Sequence, residues 1–199
     1  MIMKNYIFLA VISMSVLSCA SFSHRMVKRV KDPIDNSDIS QLNGIYSLES
    51  PVSYDKKGFP EEPSSSYIRN HLSYFNIATE LIDTASTYQL HVKNVSDDEF
   101  SFTVYKDKDY IASSIIKVQL RNDGMLKYNE RNLSCYGIPY IFGGCANTRT
   151  RIGRTTDDDL LLNYSHRSDG ALLLIFGTGV SYNGTYSFKK LKDLNNERI

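Results

Sequence analysis

The stretch FSFTVYKDKDYIASSIIKVQLRNDGMLKY, residues 100–128, decides the fold. From 100 to 105, Phe and Val alternate with Ser, Thr and Tyr, and this period of two is typical of a strand with one buried face. Residues 110–120 form a second, longer candidate strand. Asn122-Asp123-Gly124 follows it, and Asp-Gly is a strong signal for a tight hairpin because both positions tolerate positive φ. The stretch therefore predicts consecutive antiparallel strands.

The same turn chemistry recurs further along the chain. Asp169-Gly170 and Asn183-Gly184 predict two more hairpin turns. Candidate strands flank these turns at residues 160–164, 171–176, 180–182 and 185–191. The 14 Tyr and 9 Phe of the chain also favour strands. We expect a mainly β fold, an antiparallel meander closing into a barrel or sandwich.

One segment departs from this alternation. Ile68, Leu72 and Phe75 recur at helical spacing, and Ala78 and Leu81 continue the pattern. The sequence therefore predicts one short helix near 66–83.

The first residues are predicted to be an export signal. Lys4 precedes an apolar run from Tyr6 to Leu17, and this run is shorter than the roughly 20 residues that a membrane-spanning helix needs. A short apolar core behind a cation is typical of a signal peptide. We expect residues 1–18 to be absent from the mature protein.

Val16-Leu17-Ser18-Cys19 resembles the lipobox of bacterial lipoproteins, in which the signal is cut before the cysteine and that cysteine is acylated. The resemblance, which covers residues 1–20, implies a lipidated Cys19 and a protein anchored in the membrane of the cell envelope. It also implies sorting to the outer membrane if the cell is Gram-negative, because Ala20 follows the cysteine. Alternatively, Ser18-Cys19-Ala20 fits an ordinary signal-peptidase site, which would release a soluble periplasmic or secreted protein.

The cysteine count favours lipidation. The chain has three cysteines, and an odd number in an exported protein requires an explanation for one of them. If Cys19 carries lipid, Cys135 and Cys145 remain as a pair that an oxidising compartment allows to bond. Closing this short loop would stabilise the fold by about 2–3 kcal/mol. The alternative, a redox or metal site, lacks the usual C-x-x-C spacing.

The remaining organisation is simple. Residues 19–41 are polar, basic in part and without periodicity, which predicts a tether between the membrane and the fold. Its cations would also suit contact with anionic headgroups. Residues 42–192 are predicted to form a single β-domain, and residues 193–199 a polar tail.

Asn43-Gly44-Ile45-Tyr46 resembles the G-x-W opening of lipocalin and calycin barrels, with Tyr46 in place of Trp. The resemblance implies a lipocalin-like barrel in which the aromatic ring plugs one end and the glycine permits close approach of the chain. Asn183-Gly184-Thr185-Tyr186 repeats the pattern, so pairing of the first and last strands would close the sheet. Alternatively, both are ordinary turns followed by a strand aromatic.

The sequence offers little catalytic chemistry. The four histidines have no metal-binding spacing, and neither a G-x-S-x-G elbow nor a phosphate-binding glycine loop occurs. We therefore predict no enzyme, no cofactor and no metal. Asp157-Asp158-Asp159 is interpreted as a solvated acidic turn rather than a cation site. A formal net charge of +1 argues against a nucleic-acid partner.

The apolar segment between Cys135 and Cys145 is the best candidate for a binding loop, with Tyr136, Tyr140 and Phe142 as contact residues. Two classes of function remain. One is a non-catalytic interaction module that recognises an envelope protein. The alternative is a β-barrel that binds a small apolar ligand such as a lipid or cell-wall fragment. The many Phe, Leu and Ile residues favour a filled interior, and hence the interaction module.

Overall fold

The computed structural model describes residues 21–35, 39–61, 71–78, 86–129, 132–138, 142–172 and 176–194. The described chain is mainly β and antiparallel, as predicted. It divides into two compact units. Unit 1 comprises the described parts of residues 1–21, 132–148 and 165–182, and unit 2 those of residues 22–131, 149–164 and 183–199.

The elements are numbered in chain order. Helix α1 spans His24–Lys28, and short 3-10 helices span Ile39–Leu42 and Ser73–Phe75. The strands are β1 (Lys31–Asp32), β2 (Gly44–Ser47), β3 (Val52–Tyr54), β4 (Pro60–Glu61), β5 (Tyr88–Ser96), β6 (Glu99–Lys106), β7 (Asp109–Leu120), β8 (Leu126–Tyr128), β9 (Asn132–Ile138), β10 (Phe142–Thr155), β11 (Leu160–Leu172), β12 (Phe176–Phe188) and β13 (Lys190–Lys192).

Hydrogen-bonded neighbours follow the order β13-β2-β5-β6-β7-β8-β10-β11-β12-β3-β4. The stretch quoted first is a meander in which β6 pairs with β5 and β7. The predicted turn at Asn122-Asp123-Gly124 joins β7 to β8, with Leu120 opposite Leu126 and Gly124 at φ 73°. This hairpin prediction is confirmed.

The strand that carries Tyr46, β2, pairs with the last strand, β13. Strand β2 lies between β5 and β13, and β3 pairs with β12. In β2, the Tyr46 hydroxyl donates a 2.9 Å hydrogen bond to the Leu42 carbonyl. A Cβ at Gly44 would lie 3.1 Å from that hydroxyl oxygen and 2.9 Å from Lys190 Cε. The absence of a Cβ at Gly44 therefore leaves room for the Lys190 and Tyr46 side chains.

Two turn predictions are wrong. Asp169-Gly170 lies inside strand β11, and Asn183-Gly184 lies inside strand β12. At Gly184 the missing Cβ makes room for the ring of Tyr164, so this glycine serves packing rather than chain reversal. The Asn183 side chain also has a local role, since its Oδ1 accepts a 3.2 Å hydrogen bond from the Ser23 amide.

The main core of unit 2 is continuous. The alternating strand residues supply most of it, and they include Tyr46, Tyr88, Leu90, Val92, Phe100, Phe102, Val104, Ile116, Val118, Leu126, Tyr128, Ile152, Leu160, Leu162 and Phe188. Residues 71–72 are helical and continue into the 3-10 helix, which ends at Asn76 with φ 54°. This part of the predicted helix adds Leu72, Phe75 and Ile77 to the core. The rest of 66–83 lies outside the described residues.

A smaller core lies on the other face of the sheet in unit 2, where Val27, Met125 and Leu161 pack together. Helix α1 buries Met26 and Val27 there, and β1 pairs with β10. Residues 22–35, part of the segment expected to be a tether, are thus folded. The buried side chains of α1, Met26 and Val27, are adjacent in sequence and give no periodic hydrophobic pattern. For this reason the sequence indicated a spacer rather than a folded segment.

Candidate interaction surface

The disulfide-bonded hairpin of unit 1 contains most of the predicted site. Cys135 lies opposite Cys145 in the β9–β10 ladder, and their sulfur atoms are 2.09 Å apart. The pairing continues to Ile138 and Phe142. The segment between the cysteines was predicted to be a loop, and this is wrong for its described part, because residues 136–138 are paired with residues 142–144 in the β9–β10 ladder.

The three predicted contact residues have different outcomes. Tyr136 is in strand β9 and is 63% exposed. A Cβ at Gly144 would lie 3.0 Å from the Tyr136 hydroxyl oxygen, so the glycine makes room for this side chain. Tyr140 lies outside the described residues, as does the Phe142 side chain, although the Phe142 backbone is in β10. Cys19 is also outside them.

Three further apolar side chains of unit 1 are exposed. They are Leu133 (59%), Val180 (61%) and Tyr182 (47%). Sequence reasoning did not single them out, because alternation shows that a strand has two faces but not which face is covered. Exposed apolar groups concentrated in one small unit are typical of an interaction site.

Strand β9 also presents a backbone edge. The Cα atoms of Cys135 and Cys145 are 4.0 Å apart, which is nearer to the roughly 4.5 Å of a non-hydrogen-bonded antiparallel pair than to the roughly 5.5 Å of a hydrogen-bonded one. The N–H and C=O groups of Leu133 and Cys135 therefore point away from β10. Within the described ranges, β9 pairs with β10 alone. An edge of this kind can accept another strand.

A polar row crosses the strands of unit 1. Thr148 Oγ1 and His166 Nδ1 are 2.9 Å apart, and the His166 and Tyr182 rings lie 4.8 Å apart. These contacts join a hydroxyl, an imidazole and a phenol ring, a combination that suits recognition of a polar and aromatic partner surface.

The buried charges of unit 2 serve the fold. The Arg151 guanidinium donates to Asp123 Oδ2 at 2.5 Å, to Asn163 Oδ1 at 2.7 Å and to the Ser23 carbonyl at 3.3 Å, and lies over the Phe22 ring. Burial lowers the pKa of Arg151, while the Asp123 carboxylate acts in the opposite direction. The network thus fixes residues 22–23 against strand β10.

The acidic turn is paired with cations of the chain. Asp158 Oδ2 lies 2.8 Å from Lys190 Nζ, and Asp158 Oδ1 lies 3.5 Å from Arg154. Asp159 Oδ1 accepts a hydrogen bond from the Lys190 amide, and burial raises the pKa of Asp159. The predicted solvated turn is therefore partly engaged in ion pairs. Among the described residues, no cluster of His, Cys, Asp or Glu could hold a metal ion.

No protein-family model matches the chain, and no curated protein matches it. Within the part of the chain that the structure describes, no helix is both long and apolar enough to span a bilayer.

Proposed function

We propose that the protein is a lipid-anchored protein of the cell envelope that acts as a non-catalytic interaction module, with strand β9 as its contact element. One observation carries this proposal. Leu133 and Tyr136 are exposed on opposite faces of an edge strand that a disulfide holds to β10.

An edge strand with exposed apolar side chains can bind an extended segment of another protein. The backbone groups of Leu133 and Cys135 would supply hydrogen bonds, and the apolar side chains would supply specificity. The disulfide reduces the ordering cost of binding, since the hairpin is already constrained. Such a mode needs no catalytic group.

The alternative, a barrel that encloses a small apolar ligand, receives less support. The Phe75 ring lies 5.2 Å from Phe102 and 5.9 Å from Phe188 in the core of unit 2. Large aromatic side chains packed at these distances occupy the space that an enclosed ligand would need. The core of unit 2 thus favours a partner that binds outside.

The proposed anchor is supported by the cysteine pairing. Cys135 and Cys145 bond to each other, so Cys19 is the remaining cysteine of three. A lipid on Cys19 explains the odd count in an exported protein.

Site-specific photo-crosslinking in living cells tests the contact element. A photoreactive phenylalanine analogue replaces Tyr136 in one variant and Tyr110 in the other. Tyr110 is a matched control because it is 60% exposed and lies in unit 2. We expect a discrete crosslinked protein from position 136 and none from position 110. Adding Leu133→Asp to the first variant should abolish the product.

Two results would contradict the proposal. Equal crosslinking at positions 136 and 110 would show that the partner does not bind selectively at β9. Crosslinking at position 136 that Leu133→Asp does not reduce would show that β9 is not the contact element. A stoichiometric apolar small molecule found by native mass spectrometry, with no crosslink at position 136, would favour the ligand-binding alternative.

A further inference from the structure

We propose that a basic surface of unit 2 docks on anionic phospholipid headgroups and thereby fixes the orientation of the anchored protein. This basic surface consists of Arg25, Lys28, Arg29, Lys56, Lys57 and the Phe59 ring. The inference rests on the proposed lipid anchor and adds to it a defined membrane-facing side.

The basic surface is assembled from two segments that are distant in sequence. Helix α1 carries Arg25 and Lys28, its C-cap residue is Arg29, and the turn at residues 55–59 carries the other two cations. Gly58 brings the segments together: at φ 81° it lies so near the helix that a Cβ would come 2.9 Å from the Met26 carbonyl oxygen and 3.4 Å from Arg29 Cβ. Met26 faces the protein interior, and Arg25, Lys28 and Arg29 are exposed.

The turn has a fixed shape. Asp55 Oδ1 accepts 2.8 Å hydrogen bonds from the amides of Lys57 and Phe59, and the Gly58 amide donates to the Asp55 carbonyl. These amide hydrogen bonds, that of Phe59 first, lower the pKa of Asp55. Lys56 and Lys57 therefore project from an ordered turn beside α1.

Phe59 adds an apolar group to the cations. Its side chain is 46% exposed, and the Arg29 guanidinium lies 4.2 Å from the ring centroid. An aromatic ring beside cations matches the boundary between headgroups and acyl chains, where the ring enters the apolar layer and the cations remain near phosphate.

The charge of the basic surface contrasts with the rest of the chain. Residues 24–29 and 55–59 contain five Lys or Arg residues and one acidic residue, Asp55. The whole chain has a formal net charge of only +1, so the remainder carries a net negative charge. An anionic bilayer would attract this side and repel the rest.

The proposed anchor is close in sequence to the basic surface. The Ser23 amide and carbonyl are both hydrogen-bonded, to Asn183 and Arg151, so the chain is fixed at this residue. Only four residue steps separate Ser23 from Cys19, which span at most about 14 Å. Helix α1 begins at the next residue, His24. A lipid on Cys19 would therefore hold α1 near the headgroups.

The test uses the mature protein, purified from the cells that export it and mixed with two kinds of vesicle, phosphatidylcholine alone and phosphatidylcholine with phosphatidylglycerol. Lysine acetylation rates are measured by mass spectrometry. Lys28, Lys56 and Lys57 report on the basic surface, and the exposed Lys93 and Lys192 are controls. We expect labelling of the first three to be about fivefold slower in the anionic vesicles, as one headgroup contact per cation implies. Labelling of the controls should not change.

Variants then separate the basic surface from general charge effects. Lys56→Glu/Lys57→Glu should remove the protection of Lys28, whereas Lys93→Glu/Lys192→Glu should leave it intact. High salt should also remove it, because salt screens exposed charges.

The outcomes distinguish the anchor from the basic surface. A protein that stays with both kinds of vesicle but shows equal labelling of all five lysines would overturn the docking surface and leave the anchor intact. A protein that does not float with neutral vesicles lacks the anchor. In that case, flotation with anionic vesicles that Lys56→Glu/Lys57→Glu abolishes would still support the surface, and no flotation would overturn it. Protection that requires an added envelope protein, rather than anionic lipid, would also overturn it.

Discussion

The Tyr164 ring lies directly over the backbone of Gly184, where a Cβ would come 2.2 Å from Tyr164 Cε1. The same ring stacks on Tyr74 at 4.3 Å and lies parallel to Tyr186 at 6.1 Å. Two further tyrosines of unit 2 thus pack around the ring that covers Gly184.

Replacing this glycine should disturb the stack. We expect Gly184→Ala to lower the free energy of unfolding by about 1–3 kcal/mol, because the added methyl group overlaps the Tyr164 ring. Gly170→Ala is the matched control, since a Cβ there would lie 3.6 Å from the nearest neighbouring atom, an ordinary contact. Urea unfolding measures both variants. Equal midpoints would contradict the proposed packing role.

Acid should destabilise the protein through His71. Burial lowers the pKa of His71 to about 4, so between pH 6.5 and 4 the unfolded chain binds a proton that the folded protein does not. The contribution of neutral His71 to stability is fully present above pH 6.5. As the pH falls from 6.5 to 4, the free energy of unfolding decreases by about 3 kcal/mol in total.

Thermal unfolding across this pH range provides the measurement. His71→Phe should flatten the dependence, because a phenyl ring fits beside Tyr186 and Phe188 without titrating. A slope that is the same in both proteins would rule out His71 as the source.

The disulfide should protect the β9–β10 hairpin. Cys135→Ser/Cys145→Ser should lower stability by about 2 kcal/mol, near the low end for a short loop. Proteolysis between residues 136 and 144 should become faster, as mass spectrometry of the fragments would show. Reductant should accelerate this cleavage in the unaltered protein but not in the variant. Free thiols at both positions in the exported, folded protein would refute the bond.

Lipidation of Cys19 should be visible by metabolic labelling with palmitate. Cys19→Ser should lose the label, whereas Cys135→Ser/Cys145→Ser should retain it, since the lipobox-like sequence is intact there. An unlabelled protein whose mature N-terminus is Ser21 would instead establish cleavage by ordinary signal peptidase.

The sequence predicted those parts of the fold that depend on local pattern. Phe100, Phe102 and Val104 are buried, as their alternation indicates. Gly124 lies in the predicted hairpin turn and adopts the positive φ that such turns require. Gly170 and Gly184 also follow Asp or Asn, so the sequence predicted hairpin turns at both positions, and both predictions are wrong. The role of such a glycine depends on which side chain packs over it. For Gly184 this is the side chain of Tyr164, twenty residues earlier in the sequence.

The candidate site was likewise predicted only where it depends on local sequence rather than on long-range packing. The cysteine pairing followed from counting, and Tyr136 from its apolar surroundings. Leu133 was missed because its exposure depends on which strands pair with β9. Lys56 and Lys57 lie beside α1 because Gly58 and Phe59 contact Met26 and Arg29, and no sequence pattern encodes these contacts.

The hydrogen bonds at Ser23 impose an order on folding. Its carbonyl binds Arg151, 128 residues later, and its amide binds Asn183, 160 residues later. Chains emerge from their N-terminus during synthesis, so residues 22–23 appear early and have no partners until most of the chain has followed. Residues 22–23 are therefore among the last to be secured, and a nascent chain interrupted before Arg151 would lack both hydrogen-bond partners of Ser23.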